Sequence, residues 1–303
     1  MREEFCINSF EELDLYGYVW KPDNDAKIHG AIVLCHGMAE TIERYDAFAN
    51  FIASKGYFVY GYNQRGHGSH AKMLGYLGEE GWYKLKEDLK HVVEKASSEL
   101  TDMPVILMGH SMGSFVSRSF LIDYSYLLDG VILSGTGYFS KAALTLGKWL
   151  SSNDIKKHGD QHLSLQINNI AFGSNNKKIK NPRTPFDWLS RDSEMVDRYI
   201  ADPLCGQVHP SSFFYEFFNG LQHMLYQASY SNFKGNLPML LLSGADDPVG
   251  GFGKGVAKSE KMYRDLGFKT TLKLYAEGRH EMLNETNRQT VFEDIYAFIK
   301  SIS

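Results

Sequence analysis

The chain has 303 residues, 43% of them hydrophobic and 22% charged, with a formal net charge of -4. That length buries a sizeable core and suits one large α/β domain or two small ones. The charge offers no basic field for a phosphate backbone, so nucleic acid is not expected as a partner, and no stretch reaches the ~18 uninterrupted apolar residues of a membrane span.

The chain opens on MREEFCINSFEELDLYGY, acidic at once and without an apolar h-region, which argues against a secretory signal. EFCINSF and LDLYGYVW read as an antiparallel hairpin added at a sheet edge. GAIVLCHG (30–37) and YFVYGYN (57–63) are strand-like runs bounded by glycine, and between them RYDAFANFIASKG places Tyr45, Phe48, Ala49 and Ile52 at helical spacing. From Trp82 to Leu100, residues Trp82, Leu85, Leu89, Val92, Val93, Ala96 and Leu100 share one face of a helix. MPVILMG (103–109) reads as a buried strand, SFVSRSFLIDY (114–124) as a helix and GVILSG (130–135) as the sixth strand.

The alternation then stops until about residue 235. LSLQINNIAFGSNNKKIKNPRTP (163–185) is polar and loop-like, and the short basic run Lys177, Lys178 and Lys180 is expected to be a solvated surface. SSFFYEFFNGLQHMLY (211–226) carries a wide apolar stripe that includes Phe213, Phe214, Phe217 and Phe218. Its place in an insertion suggests a cap over the sheet edge. The earlier rhythm resumes with LPMLLLSG (237–244), a helix ending near Leu266, TTLKLY (270–275) and a last helix through Phe298. Strands alternating with helices imply a mostly parallel sheet with helices on both faces. Residues 1–136 and 235–303 are expected to form this core and 137–234 a mainly helical cap inserted after the sixth strand. Three widely spaced cysteines, Cys6, Cys35 and Cys205, make neither a disulfide framework nor a zinc knuckle, and a reducing, cytoplasmic setting is the simplest reading.

One short stretch carries chemistry. Gly109-His110-Ser111-Met112-Gly113 matches G-x-S-x-G between a strand pattern and a helix pattern. The pattern is weak alone, but at such a turn a nucleophile takes a strained backbone that bulky neighbours would obstruct. It also sets the Met112 N–H at a helix N-terminus, facing a developing oxyanion. A serine hydroxyl needs a base, and the base an orienting acid. Of eleven histidines, His280 stands on the loop just past a strand pattern, where the active groups of open parallel sheets collect. Asp246 and Asp247 lie just past LLLSG in the same way. The chain order Ser, Asp, His is that of an α/β-hydrolase. CHGMAE (35–40) follows the first buried strand, where Gly37 allows a sharp turn and the Met38 N–H supplies a second oxyanion donor. His36 and His67 lack the H-E-x-x-H and H-x-x-E-H spacings, so neither a metal nor any other cofactor is expected.

Together, HGMAETIERY, NQRGHGSH, GHSMGS, SGADDPVG and EGRHEMLNE resemble the monoglyceride lipase and lysophospholipase-like branch of the α/β-hydrolases, whose sequence class includes serine aminopeptidase-like proteins. PRTPFDWLSRD (182–192) is similar to a stretch of microbial members. The resemblance implies the α/β-hydrolase fold, Ser111 as nucleophile, His280 as base, Asp247 rather than Asp246 as acid, and Met38 and Met112 as oxyanion donors. It implies a cap that binds the acyl chain, here through Phe213, Phe214, Phe217 and Phe218. Asn63 stands where such proteins usually have Asp, Ala39 where a second Gly is common, and Thr41 where a His often follows the glutamate. The expected substrate is a single-chain amphiphilic ester, a monoacylglycerol or lysophospholipid, reached with transient membrane-surface contact through the cap. Two other readings stay open. A peptidase removing an N-terminal residue would need a cap carboxylate such as Glu194 or Glu216, and a non-catalytic binding protein would typically lack a triad member.

Overall fold

The computed structural model describes residues 2–10, 13–225 and 233–302. Tyr226, the last residue of the aromatic stretch, lies outside them. Eight strands form one sheet: β1 (Arg2–Asn8), β2 (Asp14–Trp20), β3 (Gly30–Cys35), β4 (Tyr57–Tyr62), β5 (Val105–His110), β6 (Gly130–Ser134), β7 (Pro238–Gly244) and β8 (Lys269–Tyr275). Their order is β1-β2-β4-β3-β5-β6-β7-β8. The hairpin β1–β2 joins β4 antiparallel at the edge, and every later pairing is parallel.

Helices α1 (Asp46–Ala53), α2 (Gly81–Glu99) and α3 (Met112–Tyr124) follow β3, β4 and β5. Helices α4 (Lys141–His158), α5 (Leu165–Phe172), α6 (Ser193–Ala201) and α7 (Ser211–Met224) stand between β6 and β7, and α8 (Lys254–Asp265) and α9 (Arg288–Lys300) complete the frame. The central strands are buried on both faces, which is why they read as unbroken apolar runs. Alternation along each strand divides the core in two. Ile32, Leu34, Ile106, Met108, Leu240 and Leu242 meet α1 and α9 on one face. On the other, Val33, Leu107, Val131, Met239 and Leu241 meet α2, α3 and α8.

Two expectations need correction. The stretch 163–185 is not loop throughout, because α5 occupies Leu165–Phe172 with the Ser164 hydroxyl accepting from the Ile167 N–H. Only Ile167 of this helix is fully buried, while Leu165 and Ile170 are exposed, so no apolar stripe announces it. The aromatic face of α7 is a core surface. Phe213 and Phe214 are completely buried, and Phe217 and Phe218 pack against the same cluster. The helix packs on α4 and reaches down to α2 and α3, so its aromatic residues fasten the inserted helices to the body.

Candidate active site

The parallel strands all end on one rim, and four of the connections leaving that rim bring the expected polar groups together. The β5–α3 turn holds Ser111 at φ 50° and ψ -120°. A Cβ on Gly109 would fall 2.4 Å from the Gly113 carbonyl oxygen, and one on Gly113 only 2.0 Å from the Cys35 carbonyl oxygen. Both glycines are therefore demanded by close backbone contact, and the turn they allow lifts Ser111 out of the sheet. Ser111 makes no side-chain cap to α3, so an ordinary helix-capping role does not account for it.

His280 Nε2 lies 2.8 Å from Ser111 Oγ, and His280 Nδ1 lies 3.0 Å from Asp247 Oδ1. With Nδ1–H donating to the carboxylate, Nε2 is left bare to accept the Ser111 hydroxyl proton. Asp247 is fully buried and accepts from the Ser243 hydroxyl and the Val249 N–H, both at 2.9 Å. Its neighbour Asp246 is exposed, which separates two acids that the sequence places side by side. Burial opposes charge on both partners, but each outweighs that opposition for the other. The His280 pKa is raised by Asp247, with help from Glu281 and Glu40, and the Asp247 pKa is lowered by His280 and its own donors. His110, whose ring centre is 4.8 Å from that of His280, is pushed down to about 4 by burial and by its neighbour. It therefore does not compete for the proton.

The turn after β3 lies against Ser111: a Cβ on Gly37 would come within 3.2 Å of Ser111 Cβ. Met38 lines the same cavity as Ser111. Met112 opens α3, where a first-turn N–H has no carbonyl one turn back. His36 and His67 brace this turn as neutral imidazoles. His36 Nε2 accepts the Gln64 N–H at 3.0 Å, and His67 Nε2 accepts the Ala39 N–H at 3.3 Å. Ala39 sits at φ 56°, which explains why glycine suits that position. The Asn63 amide accepts from the Ile42 N–H and donates to Glu43, a second role that an aspartate could not fill.

The cavity has a volume of about 170 Å³. Met38, Ala39, Phe172, Phe186, Trp188 and Leu189 form its apolar wall. None of Phe213, Phe214, Phe217 and Phe218 lines it, and neither does Glu194 nor Glu216. Glu194 is exposed and pairs with Arg198, while Glu216 accepts from the Trp82 N–H. Cys205 is buried with Trp188, Leu189 and Tyr199 behind the wall. The carboxylates that do reach the cavity, Glu40 and Glu281, are both held by Arg44. Among the described residues no group of three or more His, Cys, Asp or Glu is arranged to hold a metal ion.

Residues 185–191 have a role that sequence reasoning missed. The His280 N–H donates to the Trp188 carbonyl, the Glu281 N–H to Leu189, and the Arg279 guanidinium to the carbonyls of Asp187 and Ser190. Arg191 pairs with Glu285, which is fully buried. The loop bearing His280 is thus stapled to the inserted segment by main-chain bonds and by two arginines, contacts between stretches roughly 90 residues apart that no local pattern announces.

A family model described as Hydrolase_4, serine aminopeptidase, S33, matches residues 26–287. The monoacylglycerol lipase of Mycolicibacterium smegmatis is 26% identical over 288 residues, covering 93% of this chain and 91% of that protein. Among solved structures, a thermostable carboxyl esterase from Bacillus coagulans in complex with glycerol superposes with a TM-score of 0.92 at 25% identity, covering 99% of this chain and 98% of that one. A soluble variant of monoglyceride lipase from Saccharomyces cerevisiae, at 21% identity, shares the fold with a TM-score of 0.79 over 100% of this chain and 95% of that one.

Proposed function

The chain belongs to the serine aminopeptidase S33 family of α/β-hydrolases and is a serine hydrolase, and from that premise we propose that it cleaves single-chain carboxylic esters through an acyl-enzyme. The observation that carries the mechanism is the unbroken relay from Ser111 through His280 to buried Asp247. His280 takes the Ser111 proton as Oγ attacks the ester carbonyl, and the Met38 and Met112 N–H groups receive the oxyanion. The imidazolium, held by Asp247, then protonates the leaving alcohol. Water activated by the same imidazole attacks the acyl-enzyme, releasing the acid and regenerating Ser111.

The paired state of Glu40 and Glu281 supports ester over peptide chemistry, because among the described residues no carboxylate at the cavity is left to hold a substrate ammonium. We assign residues 137–234 the role of a cap. Leu146, Trp149, Leu163, Leu165, Ile170 and Ile200 project from it as exposed apolar side chains, a surface suited to resting on lipid. No helix among the described residues is long and apolar enough to cross a membrane. The cavity is small for a whole lipid, since ligand pockets typically span ~300–1,000 Å³. It holds the ester and head group, and the chain runs out past Phe172 and Phe186 toward that surface. Purified protein is expected to cleave p-nitrophenyl octanoate at least about 100-fold faster than aminoacyl-nitroanilides, and to sediment with phosphatidylcholine vesicles. Fast anilide cleavage without ester preference would reject the reading.

The pH profile follows from the sign of the His280 shift. A general base works only when neutral, and Asp247 holds the His280 pKa above its ordinary value of 6.5. The acid limb of kcat/KM is therefore expected to inflect above pH 6.5, with activity rising through it. In Asp247→Asn the opposing effect of burial is no longer outweighed, and the inflection moves down. A wild-type inflection below pH 6 would contradict the pairing.

A further inference from the structure

A general base that takes the Ser111 proton carries a positive charge for part of every turnover, and His280 must do so almost out of reach of water, at 2% exposure. Burying a charge is costly unless something nearby stabilises it. Among the described residues the charged groups facing the ring are Asp247, which receives its Nδ1–H, and Glu281 and Glu40, both paired with Arg44. His110, the other titratable ring against it, is neutral. One further group meets the imidazole. The Trp188 indole packs 4.9 Å from it, centre to centre, with the planes tilted by 39°, nearer to stacking than to an edge-on meeting.

The stretch PRTPFDWLSRD builds the support for that indole. The Thr184 hydroxyl donates to the Asp187 carboxylate and accepts the Phe186 N–H at 3.2 Å, and the Arg183 N–H donates to the same carboxylate. These bonds close a turn immediately before Trp188. The Trp188 carbonyl accepts the His280 N–H at 3.3 Å, so main chain and ring of one residue both engage the base. The Phe172 ring stacks against the indole at 6.3 Å and 17°. Trp188 also lines the cavity that holds Ser111 and is 8% exposed.

An indole attracts a cation lying within about 6 Å of its ring centre, and more strongly where water is excluded. A neutral imidazole gains much less, so the contact strengthens as the proton moves from Ser111 to His280. An interaction made mainly at that moment speeds the reaction rather than merely tightening binding. Resting on His280 as the base, we propose that Trp188 is a positioning residue that holds the His280 ring and stabilises its imidazolium. The inserted segment thus completes the base as well as walling the cavity.

The test follows kcat and KM on p-nitrophenyl octanoate and, across pH, the rate of fluorophosphonate labelling, which needs the same base whatever substrate is preferred. In Trp188→Leu, kcat is expected to fall about tenfold, and the acid-limb inflection of labelling to move down by about one pH unit, the same tenfold loss of imidazolium stability. Trp188→Phe, which restores a smaller ring, should recover part of both. Replacing Trp188 with tryptophans bearing one, two and three ring fluorines keeps the shape while weakening the negative face, so the inflection should step down along the series. That series carries the test if Trp188→Leu does not fold. A raised KM with an unchanged inflection would make Trp188 wall alone, and a lowered thermal midpoint with kcat and inflection intact would make it structural. Either result, or a flat fluorine series, overturns the proposal. A wild type that neither labels nor turns over removes His280 as base and the inference with it. Labelling without ester turnover rejects only the ester reading.

Discussion

Ser111→Ala is expected to lower kcat on p-nitrophenyl octanoate by about 10⁴-fold or more and to abolish labelling by a fluorophosphonate. The expectation rests on what the hydroxyl faces. Its oxygen is 2.8 Å from an imidazole nitrogen whose other nitrogen is committed to a buried carboxylate, so proton removal has a prepared path. It also sits beside the tight turn at Gly37, where the proposed Met38 and Met112 N–H donors would receive the negative oxygen of a tetrahedral intermediate. Residual activity over water would come from substrate binding and the proposed oxyanion donors. Stability separates this account from a merely structural serine. Ser111 makes no side-chain cap to α3, so its removal should leave the thermal midpoint nearly unchanged. A variant that loses stability but keeps turnover and labelling would remove Ser111 from the mechanism.

How much of this could be read beforehand depended on how each feature is encoded. The central strands were legible because burial on both faces demands unbroken apolar runs such as AIVLC and VILMG, each closed by the glycine that its turn requires. Ser111, Asp247 and His280 could be proposed as a set because each lies just past a strand pattern, although the strand before His280, KTTLKLY, is half exposed and no unbroken apolar run. The cavity wall was not legible. It is built from irregular stretches around Trp188 and Gln207, where no period exists to count and where main-chain bonds to Trp188 and Leu189 do the holding. The aromatic stripe of α7 was found correctly as a stripe and assigned to the wrong surface. Amphipathic spacing says that a face is buried, but not whether substrate or the sheet's own helices cover it. Arg44 and Glu281 lie too far apart in the chain for any local pattern to couple them.

Arg44→Met is expected to cost about 3–5 kcal/mol of stability at pH 8, the cost of stranding buried charge. Arg44 donates from Nη1 to Glu40 at 2.6 Å and reaches Glu281 from both Nη1 and Nη2, at 2.7 and 2.6 Å, beneath the Tyr199 ring. The three side chains are nearly dry, at 11%, 4% and 6% exposure. Methionine fills the volume but leaves two carboxylates without their cation. Lysine, a point charge without the planar fork, should recover only part of the loss. The pH dependence gives the assignment a sign. Burial works against the ionised Glu281, yet Arg44 holds its pKa below the ordinary 4.5, so the pair's contribution is present above that value and fades as the pH drops through the depressed one. In Arg44→Met burial acts on Glu281 with only the Asn284 amide and the His110 ring left to oppose it, and protonation then favours the folded chain. The gap between wild type and variant, measured by urea unfolding, should therefore narrow from pH 8 toward pH 5. Catalysis should suffer as well, because Glu40 also accepts the Gly37 N–H beside Ser111 and Glu281 directly follows His280. A pH-independent gap, or a loss below about 0.5 kcal/mol, would mean that the charges are better solvated than their burial implies.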